Sequence, residues 1–302
     1  MTKRRTWAVV LGVFASLAAG SCSEAIEVGR DHAAGNAGTS IDTGGAGSNM
    51  GGALGSGGST AHVCEKRACE GRIYECGDCD DNDGDQLTDS DDPDCTGPCD
   101  NTEDSYYGGI PGQNKAPCRE DCYFDQDTGS GNDQCFWSHE CDPLSVAPDY
   151  PPSGNSQCAH QPDADIPGSG STCEGLKAAQ DSVCLDTCLP LTPNGCDCFG
   201  CCELPSASGN FVWIGSAAQN VGTCDAAHVN DPSACHPCSP VPSCFNPCGS
   251  CEVCVGRTSP SADCASNAGR CPSSAAACGQ PGEPACDAGF YCVTGCCAAV
   301  PR

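Results

Sequence analysis

Residues Asp78 to Cys95 read D-C-D-D-N-D-G-D-Q-L-T-D-S-D-D-P-D-C, and nine of these eighteen positions are Asp. Counted from Asp81, carboxylates fall at Asp81, Asp83, Asp85, Asp89 and Asp92, which are positions 1, 3, 5, 9 and 12 of a loop. Ca²⁺ takes about six to eight oxygen ligands, and a short, tightly turned segment can converge carboxylates on it. Without a cation, Asp at this density repels itself. The stretch therefore predicts a calcium loop, with a solvated acidic turn as the alternative. Cysteines flank it: Cys64, Cys69, Cys76 and Cys79 precede it, and Cys95 and Cys99 close it.

Working outward, the composition says what must hold such a chain together. Leu, Ile, Val and Phe make up 38 of 302 residues, and the net charge is −27. That alone predicts disorder, because too little apolar area is available to offset chain entropy. The 33 cysteines reverse the expectation. Each crosslink destabilises the unfolded chain, by roughly 2–4 kcal/mol, so a small core suffices. The fold class expected is a set of small disulfide-rich modules, mostly irregular and loops, with one short helix and few short strands. So many bridges imply an oxidising compartment. The charge is uneven: residues 64–165 carry 25 acids and five bases. This region repels nucleic acid and anionic surfaces and attracts cations.

The spacing D-x-D-x-D-x-x-x-D-x-x-D resembles thrombospondin type 3 and dockerin-like calcium repeats, over about fifteen residues. In such repeats Gly occupies position 6 for a left-handed turn. Here Gln86 stands there, and Gly84 comes two residues earlier. The resemblance implies calcium as the bound ion, and Gln86 implies a strained turn and weakened affinity.

Residues 1–21 read as an export signal: Lys3, Arg4 and Arg5, then an apolar run from Trp7 to Ala19 that is too short to span a membrane. The run ends L-A-A-G-S-C, which resembles a bacterial lipobox and implies lipidation of Cys22. Ordinary secretion, with cleavage after Gly20, is the alternative. Cys22 is the odd cysteine; the other 32 are compatible with sixteen bridges. Residues 22–63 form a Gly/Ser-rich tether, flexible by composition.

Three cysteine-rich modules are expected beyond the tether: an acidic calcium-binding module over 64–162, a module with one helix over 172–256, and a knottin-like C-terminal module over 257–302. A second, weaker candidate metal loop holds Asp125, Asp127, Asn132 and Asp133. Beneath it Phe136 and Trp137 read as local core. His139 reads as an exposed loop histidine. The helix is expected over about 172–188. Ser171 and Glu174 suit a capping box, and Cys184 and Cys188 share a face able to staple it to two other segments. Phe211–Ile214 is the best strand candidate. The Cys-x-x-Cys units at Cys76–Cys79, Cys235–Cys238, Cys248–Cys251 and Cys251–Cys254 read as bridge cysteines, with zinc as the alternative for the last three. Around Cys79, the acids raise a thiol pKa, the opposite of what a redox thiol needs.

No catalytic residues are assigned. The chain has no G-x-S-x-G, H-E-x-x-H or P-loop motif. As a whole it resembles cysteine-rich envelope lipoproteins of Gram-negative gliding bacteria. That resemblance implies an outer-membrane or extracellular location more than an activity. The expected function is binding or adhesion at the cell envelope, calcium-dependent, with a glycan, matrix or protein ligand and a lipid anchor in the outer membrane. The alternatives are a structural envelope protein without a ligand and a secreted hydrolase.

Overall fold

The computed structural model describes residues 64–108, 114–115, 118–125, 133–144, 158–164, 168–204, 210–219, 221–256, 264, 270–271, 274–280 and 282–300. The signal and tether readings over 1–63, Cys22, Asp127 and Asn132 lie outside these residues.

Disulfides organise the fold, and fifteen bridges join described cysteines. The regular structure between them is sparse. Strands β1 (Ala68–Cys69) and β2 (Arg72–Ile73) make a short hairpin. Strands β3 (Asn114–Lys115), β4 (Arg119–Glu120) and β5 (Trp137–Ser138) make an antiparallel ladder in that order. A further ladder pairs β6 (Cys201–Glu203) with β7 (Phe211–Trp213). After the hairpin of β8 (Ala217–Ala218) and β9 (Val221–Gly222), β10 (His236–Pro237) returns to the free side of β7. The longest hairpin is the last, β11 (Phe290–Val293) with β12 (Cys296–Ala299). The β7 strand forms where its β-branched and aromatic run predicts. This is the expected small disulfide-rich, irregular fold.

The helical stretch forms where expected but is broken. Helix α1 spans Cys173–Ala178 and helix α2 spans Ser182–Thr187. The α1 cap is Thr172, one residue later than the expected Ser171, and its side chain accepts from Gly175 N. Two things cause the break. Gln180 is buried, and its amide donates to Phe136 O at 2.9 Å and accepts from Phe136 N at 3.3 Å, which draws the chain out of helical register. Asp181 then accepts from Val183 N at 2.8 Å and caps a new helix. Asp competes for backbone donors in this way at helix starts. As predicted, Cys184 and Cys188 staple α2 to two segments, through Cys135 and Cys122.

The modules expected over 64–162 and 172–256 share one core. Three bridges cross between them: Cys122–Cys188, Cys135–Cys184 and Cys141–Cys173. The core joins Tyr106, Tyr123, Phe124 and Trp137 to Phe199, Leu204, Ile214 and Val241 around buried sulfurs. Trp137 stacks on Phe199, with centroids 6.2 Å apart. The C-terminal hairpin carries its own bridges, Cys271–Cys296, Cys278–Cys292 and Cys286–Cys297. It packs back on the start of the described chain: Tyr291 lies against Cys69 and Cys99, and its hydroxyl donates to Cys76 O at 2.7 Å.

His139 is buried, not exposed. Its ring sits edge-on to Trp213, with centroids 4.5 Å apart, and Nε2 lies 3.4 Å from Glu120 Oε1. The same oxygen accepts from Trp213 Nε1 at 2.5 Å. The correction has a simple cause. The Cys135–Cys184 and Cys141–Cys173 bridges clamp both sides of the 137–139 segment, which local sequence polarity does not reveal.

Candidate metal centre

Two bridges frame the acidic loop. Cys64–Cys79 holds its start, and Cys76–Cys95 closes it. Between them the carboxylates shape the backbone. Asp81 accepts from Gly84 N at 2.7 Å and from Gln86 N at 3.1 Å. Asp83 accepts from Asp85 N at 2.9 Å, and Asp85 from Leu87 N at 2.7 Å. Asp92 Oδ1 accepts from Asp94 N at 2.8 Å. The Asp83, Asp85 and Asp92 bonds are Asx-type turns, and the Asp81 bonds reach three and five residues on; in each case Asp bends the chain by competing for backbone donors. Gln86 takes the left-handed conformation that position 6 requires, at φ 81°, and Gly84 lies at φ 88°.

This winding gathers the first three ligand positions. One carboxylate oxygen from each of Asp81, Asp83 and Asp85 lies within 4.8 Å of the others, and all three side chains are exposed. Asp92 is not one of that group, although the Asp85 and Asp83 charges reach it. It is only 3% exposed, and its Oδ2 is buried with no hydrogen-bond partner. Burial pushes the Asp92 carboxyl up to about 6 against the pull of Asp94 N–H, and the Asp85 and Asp83 charges add to the rise. A buried carboxylate oxygen without a donor is costly, by about 1–3 kcal/mol or more for a charged group. A hard cation is one kind of partner able to supply what that oxygen lacks.

Asp89 is not in this group. It sits at φ 48° at the start of a single 3-10 turn, and its carboxylate faces the first bridge. Oδ1 accepts from Cys79 N at 3.2 Å, and Oδ2 lies 3.0 Å from Cys64 Sγ. The structure thus brings together Asp81, Asp83 and Asp85, leaves Asp92 buried outside that group and holds Asp89 against the first bridge.

One residue that shapes the loop escapes the sequence reading. Glu103 is fully buried, and its two oxygens clamp both limbs of the loop. Oε2 accepts from Asn82 N and Oε1 from Asp89 N, both at 2.7 Å. Nothing in N-T-E-D (Asn101–Asp104) marks it, because the loop lies in sequence well before it and the pairing is made only in three dimensions.

No protein-family model, curated protein or solved structure matches the chain. The chemistry of the site therefore rests on its own geometry. Of the second candidate loop, Asp125 is buried and Asp133 half-buried at φ 44°. Among the described residues, neither belongs to a group of three metal-ligating side chains. Bridges also divide the Cys-x-x-Cys units: Cys235 joins Cys224, Cys238 joins Cys201, Cys248 joins Cys254 and Cys251 joins Cys264. Disulfide sulfur does not supply the thiolate that zinc needs.

A groove of about 700 Å³ opens elsewhere on the same unit. Phe124, Leu185, Leu189, Leu191, Phe245 and Val293 line it. No helix among the described residues is long and apolar enough to cross a membrane.

Proposed function

We propose that this chain is an exported, disulfide-stapled surface protein whose acidic loop binds Ca²⁺ and which acts in binding or adhesion at the cell envelope. Asp81, Asp83, Asp85 and Asp92 would hold the ion, and Glu103 sets the loop around it. The observation that carries the calcium reading is the gathering of one oxygen from each of Asp81, Asp83 and Asp85 within 4.8 Å, together with Asp92 Oδ2, buried without a partner in the same loop. The bridges support export, since they need an oxidising compartment to form. In this reading the chain sits at the outer membrane through lipid on Cys22, or is extracellular. The apolar groove supports a binding role over a purely structural one, and its Leu and Phe walls suit a protein segment better than a glycan.

Calorimetric titration of the full exported chain, bridges intact, tests the ion. Binding is expected at about 10⁻⁴–10⁻³ M, the range of extracellular modules. Asp83→Ala combined with Asp92→Asn should abolish it. Absence of both heat and thermal shift at millimolar calcium would leave the loop a solvated acidic turn. Pull-down from envelope and matrix extracts, with calcium against chelator, tests the binding role. Equal recovery of nothing in both arms would favour the structural reading.

A further inference from the structure

Two described cysteines stand outside the fifteen bridges, Cys198 and Cys244, and both are buried. They are not scattered. Asp197 and Phe245 form an isolated antiparallel pair, and Asn246 N donates to Cys196 O at 2.8 Å in the same short ladder. That register sets Cys198 directly opposite Cys244. In a regular antiparallel ladder, opposed Cα atoms lie roughly 4.5–5.5 Å apart, inside the roughly 4.4–6.8 Å that a disulfide spans. The two sulfurs already engage each other's residue: Cys198 N donates to Cys244 Sγ at 3.3 Å, and Cys198 Sγ to Cys244 O at 3.4 Å.

We propose that Cys198 and Cys244 form a sixteenth disulfide. It would tie the turn before β6 to the Pro242–Cys244 turn, at the floor of the central core. Two S–H bonds break and one S–S bond forms. The oxidant's S–S bond breaks in exchange, and the two protons and two electrons go to this disulfide-bearing oxidant, which leaves as a dithiol. Such an oxidant comes with the exported location proposed above, and on that point the inference rests on that reading.

The timing follows from the surroundings. The Cys198 thiol beside it, and burial, push the Cys244 thiol up from its ordinary value. Thiolate is the attacking species in exchange, so a buried pair whose Cys244 thiol is held neutral reacts slowly. The bond therefore closes before the core does. Nearby, Asp197 ties the turn by accepting from Phe199 N and Cys201 N at 2.9 Å and from Val241 N at 2.7 Å. Those bonds hold the two cysteines opposite each other without help from the sulfur.

The test is thiol mapping on the exported full chain. The protein is denatured without reductant, alkylated, digested and read by mass. The expected result is no label on either residue and a linked fragment containing both. Label on Cys198 and Cys244 alone would overturn the sixteenth bridge and leave the export reading standing. Label on the fifteen bridged pairs as well would sink both. The single variant Cys198→Ser gives an opposite sign for the two states. If the bridge exists, the variant gains one alkyl group at Cys244 relative to the parent; if the pair is reduced, the variant loses one.

Discussion

In the loop from Asp78 to Asp94, side-chain carboxylates hold the backbone; in the core around Phe199 and Tyr123, sulfur and aromatic rings hold it. Both regions are short of aliphatic residues. In the core, crosslinks raise the free energy of the unfolded chain, so few rings are enough. In the loop, Asp turns spend the carboxylates on backbone donors, and the negative charge remains. The core is therefore complete in itself, whereas the loop keeps a charge that a cation would offset.

The comparison can be broken first at the core. Replacing Cys135 and Cys184 together by Ala opens a bridge with a sequence separation of 49. It should cost roughly 4 kcal/mol on chain-entropy grounds. A thermal melt should show the largest loss for this variant, in calcium and in chelator alike. Next is Gly200→Ala. Gly200 lies at φ +79°, and an added Cβ would meet Tyr123 Cγ at 3.0 Å and Ile214 Cγ1 at 3.3 Å. Left-handed strain and overpacking together should cost about 2–4 kcal/mol, again indifferent to calcium.

Variants in the loop should behave the other way. Glu103→Gln removes the charge that accepts from Asn82 N and Asp89 N and leaves one acceptor oxygen. Calcium affinity should fall by about 10-fold or more by calorimetry, as it does when an outer-shell partner is lost. A loss of melting temperature in chelator equal to that in calcium would assign Glu103 to the frame and not to the ion. Gln86→Gly relieves the left-handed residue at φ 81°. It should tighten calcium binding by up to about 10-fold, the equivalent of about 1.4 kcal/mol.

The smallest expected effect is a slope with pH. Burial raises Asp197 in the core to about 7, against the hydrogen bonds from Val241, Cys201 and Phe199. Asp92 in the loop rises to about 6. A carboxyl raised on folding binds its proton more tightly in the native state. Its stabilising contribution is whole below the unfolded value near 4 and is lost as pH rises through the folded value. Melting temperature should therefore fall between about pH 4 and pH 7 in chelator. Calcium should remove the Asp92 share of that slope and leave the Asp197 share, which Asp197→Asn should flatten.

Much of this was legible in the residues. The cysteine count, the poverty of aliphatic side chains, the β7 run and the first three loop carboxylates all act locally, and local patterns predict them. What escaped was made at a distance. The helix breaks because Gln180 finds Phe136 across a bridge. Asp89 turns to the first bridge, away from the Asp81, Asp83 and Asp85 group, because Cys79 N lies within its reach. Glu103 joins the site through two backbone donors from residues that share no motif with it. Cysteine spacing predicts that bridges form and not which ones, so the burial of His139 and the sharing of one core by the first two modules came only with the pairing.

That pairing has a consequence for how the chain is made. Cys122, Cys135 and Cys141 find their partners at Cys188, Cys184 and Cys173, on the far side of the stretch 163–171. A chain delivered from its N-terminus exposes three idle thiols beside the cysteines of the acidic loop before any correct partner has arrived. The last hairpin, which places Tyr291 on Cys76, arrives later still. Assembly is thus a scheduling problem. A machinery that reshuffles early wrong bonds would speed it, and a chain cut short after residue 170 would leave Cys122, Cys135 and Cys141 without their partners.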